Sequence, residues 1–433
     1  MDSFTTLSVM APNHTNLIPR RALALAQRRL DAARVVVVNG PRQSGKTALL
    51  GLLREERGGE YISLDDASDL RSARSDPRGF LAQLEPPTFI DEIQRGGDPL
   101  VLAIKAVVDQ SPERGQFVLA GSTRFLTEPR LSESLAGRVR FVDLWPLSQG
   151  EIDRTSDSFV DGVFGDLDTV VHAKPRQQSR AETFSRVCRG GFPEAVLSGS
   201  DLDRREFFAD YIRTVTTRDV REIADLEHVA LLRSLVQLLA AQTSSELNIA
   251  DLGRRVGIPA PTLRRYLPLL ETVFLHHTVP AWTRNLTAKI VRRPKLYLVD
   301  SGLAAHLMGA VPGALARTQA VNAGPLLETF VAGELARQLT WCRVQASLNH
   351  WRDHDGSEVD LVLEAADGRV IGVEVKAAVD ISPHDFKGLR LLRRRVGPDF
   401  IAGIVLHCAD RGRQFGDGMY GLPISTLWDS PPA

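Results

Sequence analysis

Cysteine is scarce in this chain of 433 residues: Cys188, Cys342 and Cys408 stand far apart and form no CxxC pair. That argues against a disulfide framework or a zinc site and suits a reducing cytoplasm. Long apolar runs are also missing. None approaches the roughly 18 residues that span a bilayer, so no membrane role is expected. The opening residues, MDSFTTLSVMAPNH, lack the basic start and apolar stretch of a secretory signal. Net charge is absent as well, with 53 basic and 53 acidic residues. A whole-molecule basic coat for nucleic acid is thereby excluded, though a local basic patch is not. Lysine is the rarest charge, with seven against 46 arginines. A position that keeps lysine is therefore one where arginine does not serve.

The composition is 43% apolar and 24% charged, ordinary for a globular protein. The length calls for two to four domains. Residues 20–33 have helical spacing and precede a strand, Val35 to Val38. Strand-like runs recur at Tyr61–Leu64, Thr88–Ile90 and Phe117–Ala120, with helix-like segments between them. That alternation reads as a parallel sheet with crossover helices. Residues 151–180 are polar and broken by Gly, Asp and Pro, which suggests a loop or variable insertion. Residues 182–240 look mostly helical, and strands and helices mix again from Leu296 onward.

The octet Gly40-Pro41-Arg42-Gln43-Ser44-Gly45-Lys46-Thr47 fits GxxxxGK[ST] at every fixed position. It follows the valine strand and opens, through Ala48, a leucine-rich helix. In that setting backbone N–H groups wrap the phosphates of ATP. Lys46 reaches the β and γ phosphates and Thr47 holds Mg²⁺. A partner is expected on a neighbouring strand, and Phe89-Ile90-Asp91-Glu92 offers one, with Asp91 45 positions after Lys46. Asp91 would serve Mg²⁺ through water, and Glu92 would orient the attacking water. The next strand ends in Gly121-Ser122-Thr123-Arg124, where a small polar group could touch the γ phosphate. Arg138, in SESLAGRVR, is a candidate catalytic arginine. If it acts in a neighbouring subunit, hydrolysis needs a homo-oligomer.

The chain resembles a prokaryotic AAA+ ATPase family with an N-terminal ATPase and a C-terminal nuclease-like domain. The matching runs are GPRQSGKT, YISLDD, FIDEIQR, LAGSTR, SESLAGR, LWPLS, GGFPE, RDV, KLYLVDSGL, EVDLVL and GVEVKA. The resemblance implies an AAA+-type fold with Lys46, Thr47, Asp91 and Glu92 in their usual roles. It also implies that Arg138, or Arg218 of TTRDV, acts on nucleotide.

The segment from Ile249 to Leu275 reads helix, turn, helix, strand, with Ile249, Leu252, Val256, Leu263, Leu267 and Leu270 packing together. Arg264 and Arg265 would lie on a recognition helix. The alternative is a winged-helix lid or subunit contact, because Pro259, Pro261 and Pro268 leave a short reading helix. Further on, Asp360 lies in VDLVLE, and Glu374 follows 14 positions later in IGVEVKA. Alternation puts Glu374 and Lys376 on one strand face. This layout resembles the PD-(D/E)XK nuclease fold. The resemblance implies that Asp360 and Glu374 ligate Mg²⁺, with Lys376 stabilising the attacking hydroxide and Glu328 completing the set. The same residues suit phosphate binding without cleavage.

The expected fold class is α/β: a P-loop AAA+-like parallel sheet domain, a helical winged-helix-like segment and a C-terminal nuclease-like α/β domain. The expected boundaries are an N-terminal segment 1–30, an ATPase domain 31–225, a winged-helix-like segment 226–285 and a nuclease-like domain 286–433. One function is an ATPase acting on DNA or RNA, with Mg²⁺-dependent cleavage in the C-terminal domain. The other is a nucleotide-gated switch that binds protein partners and never cuts.

Overall fold

The computed structural model describes residues 17–123, 135, 137–220, 229–284 and 292–431. Arg124 lies outside them. The chain divides into two compact units, Met1–Gly40 with Gly45–Leu144, and Pro41–Ser44 with Trp145–Ala433. No helix among the described residues is long and apolar enough to cross a membrane.

The first unit holds β1 (Val35–Asn39), β2 (Glu60–Ser63), β3 (Thr88–Asp91), β4 (Phe117–Gly121) and β5 (Val139–Asp143). They form one parallel sheet in the order β2-β3-β4-β1-β5. The four valines account for the central place of β1, because side chains alternate across a strand. Val35 and Val37 enter one core with Ile62, Ile90 and Leu119. Val36 and Val38 enter the other, with Leu25 of the helix Arg21–Ala32 and Leu49 of the helix Lys46–Arg57. Burying each valine contributes roughly 1.5–3 kcal/mol.

One expectation needs correction. The Asp91 strand is not the neighbour of the phosphate-loop strand, since β4 stands between them. β4 is buried at all five positions, which suits the middle of a sheet covered on both faces. Asp91 still meets the loop, because the C-terminal ends of parallel strands share one edge.

In the second unit the stretch read as a loop, residues 151–180, is about half helical. It contributes to Gln149–Asp153 and forms Phe159–Gly165 and Leu167–Val171. Its polar majority conceals Phe159, Val160, Val163 and Phe164, all buried in the unit's core. Ser148 and Glu151 close a capping box at the first helix. The helix Asp201–Thr214 then runs into a π-helical turn, Val215–Asp219.

A winged helix follows. β6 (Ser245–Glu246) precedes the helices Ile249–Val256 and Ala260–Thr272, and β7 (His276–Val279) and β8 (Lys295–Leu298) come after them. The strands form an antiparallel sheet in the order β6-β8-β7. The expected apolar set packs as a group: Leu252, Leu263, Leu267 and Leu270 are buried, with Ile249 and Val256 against the same core. The second helix is longer than its prolines suggest, at 13 residues. Pro261 falls in the first turn, where the missing amide has no helical partner to lose, and Pro268 is accommodated inside.

The last sheet contains β9 (Ala346–Arg352), β10 (Glu358–Ala365), β11 (Val370–Lys376), β12 (Phe400–His407), β13 (Arg413–Gln414) and β14 (Met419–Pro423). Its order is β13-β14-β12-β11-β10-β9. β9, β10 and β11 form an antiparallel meander, and β12 joins β11 in parallel. The helix Ala323–Trp341 covers one face through Leu326 and Phe330, packed with Leu361, Ile371 and Val373. The helix Lys387–Val396 covers the other through Leu389 and Leu392, packed with Val359 and Val405.

Two of the shared sequence runs prove to be halves of one lock. Asp300, of KLYLVDSGL, caps the helix Ser301–Leu307 by accepting from Leu303 N at 3.0 Å. It also accepts from Gly191 N of GGFPE at 2.7 Å. Gly190 has φ +69, and a Cβ there would stand 2.1 Å from Asp300 Oδ1. We predict that Gly190→Ala destabilises the protein by about 2 kcal/mol or more, from left-handed strain plus loss of the cap. Gly199→Ala, where nothing lies within 4 Å, is the control. Equal denaturation midpoints for the two variants would refute the lock.

Candidate active sites

β1 ends at Asn39, and the loop after it turns into a helix whose first residue is Lys46. The turn uses left-handed backbone at Gln43 (φ 61) and Gly45 (φ 96). Glycine adopts that conformation without steric cost. The geometry sets backbone N–H groups at a helix N-terminus, an arrangement that attracts phosphate. Lys46 is buried, and its ammonium donates to the Gly40 carbonyl at 2.9 Å. The Thr47 hydroxyl donates to Asp91 Oδ2 at 2.6 Å. Tyr61 donates to the same oxygen at 3.1 Å. Burial, followed by the Asp91 charge, pushes the Tyr61 hydroxyl well above its ordinary value, so it stays a donor.

Glu92 has φ 52, a conformation that costs a non-glycine residue about 1–2 kcal/mol. The turn aims its carboxylate along the sheet edge, where Gln94 donates to it and the Ser122 hydroxyl lies 3.4 Å away. Ser122 follows β4, the strand that separates β1 from β3, so the polar ends of three strands gather on one edge.

The arginine candidates stand differently. The Arg138 carbonyl accepts from Val35 N, at the start of β1, and the Arg138 side chain pairs with Asp109. At about 3.3 Å per residue the strand puts it roughly 13 Å or more from its own loop. Arg138 therefore stands at the end of β1 opposite the phosphate loop. Arg218 lies exposed on the π-helical turn, one residue before Asp219. Within the second unit Asp219 pairs with Arg42 at 3.3 Å.

The C-terminal candidates come together around an unexpected residue. Register Leu361↔Val373 sets Asp360 beside Glu374. Asp360 Oδ2 accepts from Val375 N at 2.9 Å. Lys376 donates to Glu374 Oε1 at 2.8 Å, while Glu374 Oε2 is buried with no partner among the described residues. Glu328 does not join this pair. Lys295 stands between, 2.8 Å from Glu328 Oε1 and 3.3 Å from Asp360 Oδ1. Tyr297, on the same face of β8, donates to Glu328 at 2.6 Å. Glu328, Asp360 and Glu374 thus do not bring three oxygens within 4.8 Å of one another. Among the described residues the trio that does is Asp353, His354 and Asp355, with His354 and Asp355 exposed.

Sequence reasoning missed Lys295. The signal was present: a scarce lysine in an apolar strand, KLYL, needs an anion once buried. Its charge is kept by Glu328 and Asp360 against the cost of burial. Burial, reinforced by Asp360, pushes the Glu328 carboxyl up to about 8 and the Glu374 carboxyl to about 7. These two directions conflict across the Lys295–Glu328 contact, because a protonated Glu328 lends Lys295 nothing. We take Lys295 as charged and paired first with Asp360, with the surplus proton on a carboxyl of the cluster, because two ammonium groups cannot balance three carboxylates.

Residues 32–153 match the AAA domain family. Residues 180–313 and 323–427 match two domains of unknown function, DUF8612 and DUF4143. With the parallel sheet and its phosphate loop, this defines an AAA-type P-loop ATPase fold, which supports ATP binding and hydrolysis. An uncharacterized protein of Mycobacterium tuberculosis is 30% identical over 362 residues, 83% of this chain and 74% of its own length. The chain belongs to the same family as that protein. An uncharacterized Haemophilus influenzae protein is 23% identical over 382 residues, 83% of this chain and 86% of its own. Among solved structures, a Walker-type ATPase of Pyrococcus abyssi covers 67% of this chain and 96% of its own, at 14% identity and TM-score 0.41. DnaA from Aquifex aeolicus covers 61% and 94%, at 13% identity and TM-score 0.31.

The Glu374 shift sets a pH dependence. The folded state holds a proton that the unfolded carboxyl, at 4.5, has already released, so stability falls as pH rises from about 4.5 to about 7. Between pH 5 and 8, without divalent cations, we expect a loss of about 1–3 kcal/mol. Glu374→Gln should flatten that slope in equilibrium unfolding. An unchanged slope would place the proton elsewhere.

Proposed function

We propose that ATP hydrolysis at the phosphate loop drives action on nucleic acid, with Asp360, Glu374 and Lys376 forming a Mg²⁺-dependent phosphodiester site. In this reading the ATPase occupies 31–225 after an N-terminal segment 1–30, the winged-helix-like segment 226–285 and the nuclease-like domain 286–433. The observation that carries it is the Asp360–Glu374 pair with the buried, unpartnered Glu374 Oε2. Two carboxylates so close repel unless a cation or proton lies between them. An acceptor without a donor in a dry site suits a hard cation. Asp360 and Glu374 would hold that ion, which supplies Lewis-acid polarisation of a phosphodiester. Lys376 contributes positive charge to the developing phosphorane. Exposed Arg264 and Arg265 on the second helix of the winged motif offer phosphate contacts.

At the ATPase site the residues fit the same kind of ion. The Thr47 hydroxyl and the Asp91 carboxylate already share a hydrogen bond, and both are hard oxygen ligands. Pro41, Arg42, Gln43, Ser44, Gly45 and Ala48, with Gly40, surround the phosphates in this reading. Lys46 exchanges the Gly40 carbonyl for a phosphate oxygen. Glu92 orients water once it exchanges Gln94 and Ser122 for that water. Arg138 acts in a homo-oligomer.

A second reading is favoured by Lys295. Its ammonium fills the space between Glu328 and Asp360, and that suits a nucleotide-gated switch which binds a protein partner and cuts nothing.

Glu92→Gln is expected to keep ATP binding and lower hydrolysis by about two orders of magnitude. Lys46→Ala should abolish the thermal shift that ATP with Mg²⁺ produces. With Mg²⁺ or Mn²⁺ and short DNA or RNA, cleavage should vanish in Asp360→Ala and Lys376→Ala while ATPase activity survives. A wild-type protein that neither cuts nor binds either nucleic acid would favour the switch.

A further inference from the structure

The second unit carries a hollow of about 720 Å³ that no candidate site residue lines. Five arginines line it: Arg176, Arg186, Arg189, Arg204 and Arg205. The helix Arg180–Arg189 brings two of them and the helix Asp201–Thr214 another two. Their acidic company is thin. Asp153 neutralises Arg186 at 2.8 Å, and Asp201 pairs with Arg204. Glu182 faces the hollow but is spent on capping its own helix at Ser179. Arg176, Arg189 and Arg205 form no carboxylate ion pair among the described residues.

Arg189 is the informative member. Its Nη2 donates to Gln149 Oε1 at 2.9 Å, but its Nε is buried with no partner among the described residues. Burial, then the Arg186 charge, pushes its guanidinium down to about 10. An unpaired donor on a repelled cation is costly to bury unless an anion comes to it. Apolar residues complete the lining. Val311 and Pro312 border the hollow and continue into a cleft of about 50 Å³ lined also by Phe208 and Ala305. The combination is a basic floor beside an apolar shelf, with room for a molecule of a few hundred Å³. Guanidinium forks match phosphate oxygens two at a time.

We propose that this hollow binds a small organic phosphate, with the phosphate on Arg189 and Arg205 and the organic portion against Val311 and Pro312. The hollow shares no lining residue with the phosphate loop or with the C-terminal carboxylates.

The test is calorimetric titration of the full chain carrying Lys46→Ala, which weakens binding at the phosphate loop, with AMP and with inorganic phosphate as probes. AMP should bind at least tenfold more tightly than inorganic phosphate. Arg205→Gln, at an exposed position, should weaken AMP by about tenfold, and Arg189→Gln by at least as much. Added salt should weaken both probes. Absence of saturable AMP binding would overturn the proposal. So would affinity unchanged in both arginine variants, which would put AMP at another site. Equal affinity for AMP and inorganic phosphate would remove the organic portion and overturn the stated class.

Discussion

A carboxylate taken out of water must be met by a cation, a proton or several donors, and this requirement organises the protein. Asp91 is met by the Thr47 and Tyr61 hydroxyls. Asp300 is met by the Leu303 and Gly191 amides, with Arg337 at 3.7 Å. Asp360 is met by Lys295 and the Val375 amide. In each case at least one partner comes from a distant part of the chain, so satisfying one buried charge fixes the relative placement of several elements. Removing the ammonium that pairs with buried Asp360 would leave an uncompensated charge, which costs about 3–5 kcal/mol and is far more than most single contacts contribute.

The two candidate centres use that requirement differently. At the sheet edge, Asp91 is held by neutral hydroxyls that can be exchanged for other ligands, and Glu92 is aimed by a strained backbone turn. Such a site is organised and still adjustable. In the C-terminal cluster the counter-charges are built in: Lys295 and Lys376 sit within hydrogen-bonding reach of carboxylates that are themselves buried. That cluster is closer to charge balance before anything binds. A ligand cation competes there with an ammonium group and not with water alone, which raises the free energy of entry.

The glycines of GGFPE and the aspartate of KLYLVDSGL show how a sequence signature can serve architecture. Leu147 donates its amide to the Gly191 carbonyl at 2.7 Å, and the backbone approaches so closely that a Cβ at Gly191 would stand 2.2 Å from Leu147 O. These runs tie the segment after β5 to the helix after β8. Their pattern in the sequence says that they matter without saying that they are packing devices.

Much of the first unit is local and therefore legible. Four consecutive valines can be buried on both faces only inside a covered sheet, and a glycine loop between such a strand and a helix is specific enough to name from spacing alone. The second helix of the winged motif and the adjacency of Asp360 to Glu374 also follow from periodicity and turn residues. Strand order does not, since each strand's pattern is the same wherever it sits, and only packing set β4 between β1 and β3. The helices within 151–180 escaped because four buried aromatic and aliphatic residues are diluted among polar ones. The place of Arg138 at the far end of β1, and of Lys295 between Glu328 and Asp360, depend on contacts across 33 to 103 positions of chain. Sequence determined which groups were available to meet a buried charge. Tertiary structure decided which of them met it, because a Coulomb contact is set by distance in space, and that distance exists only once the elements have packed.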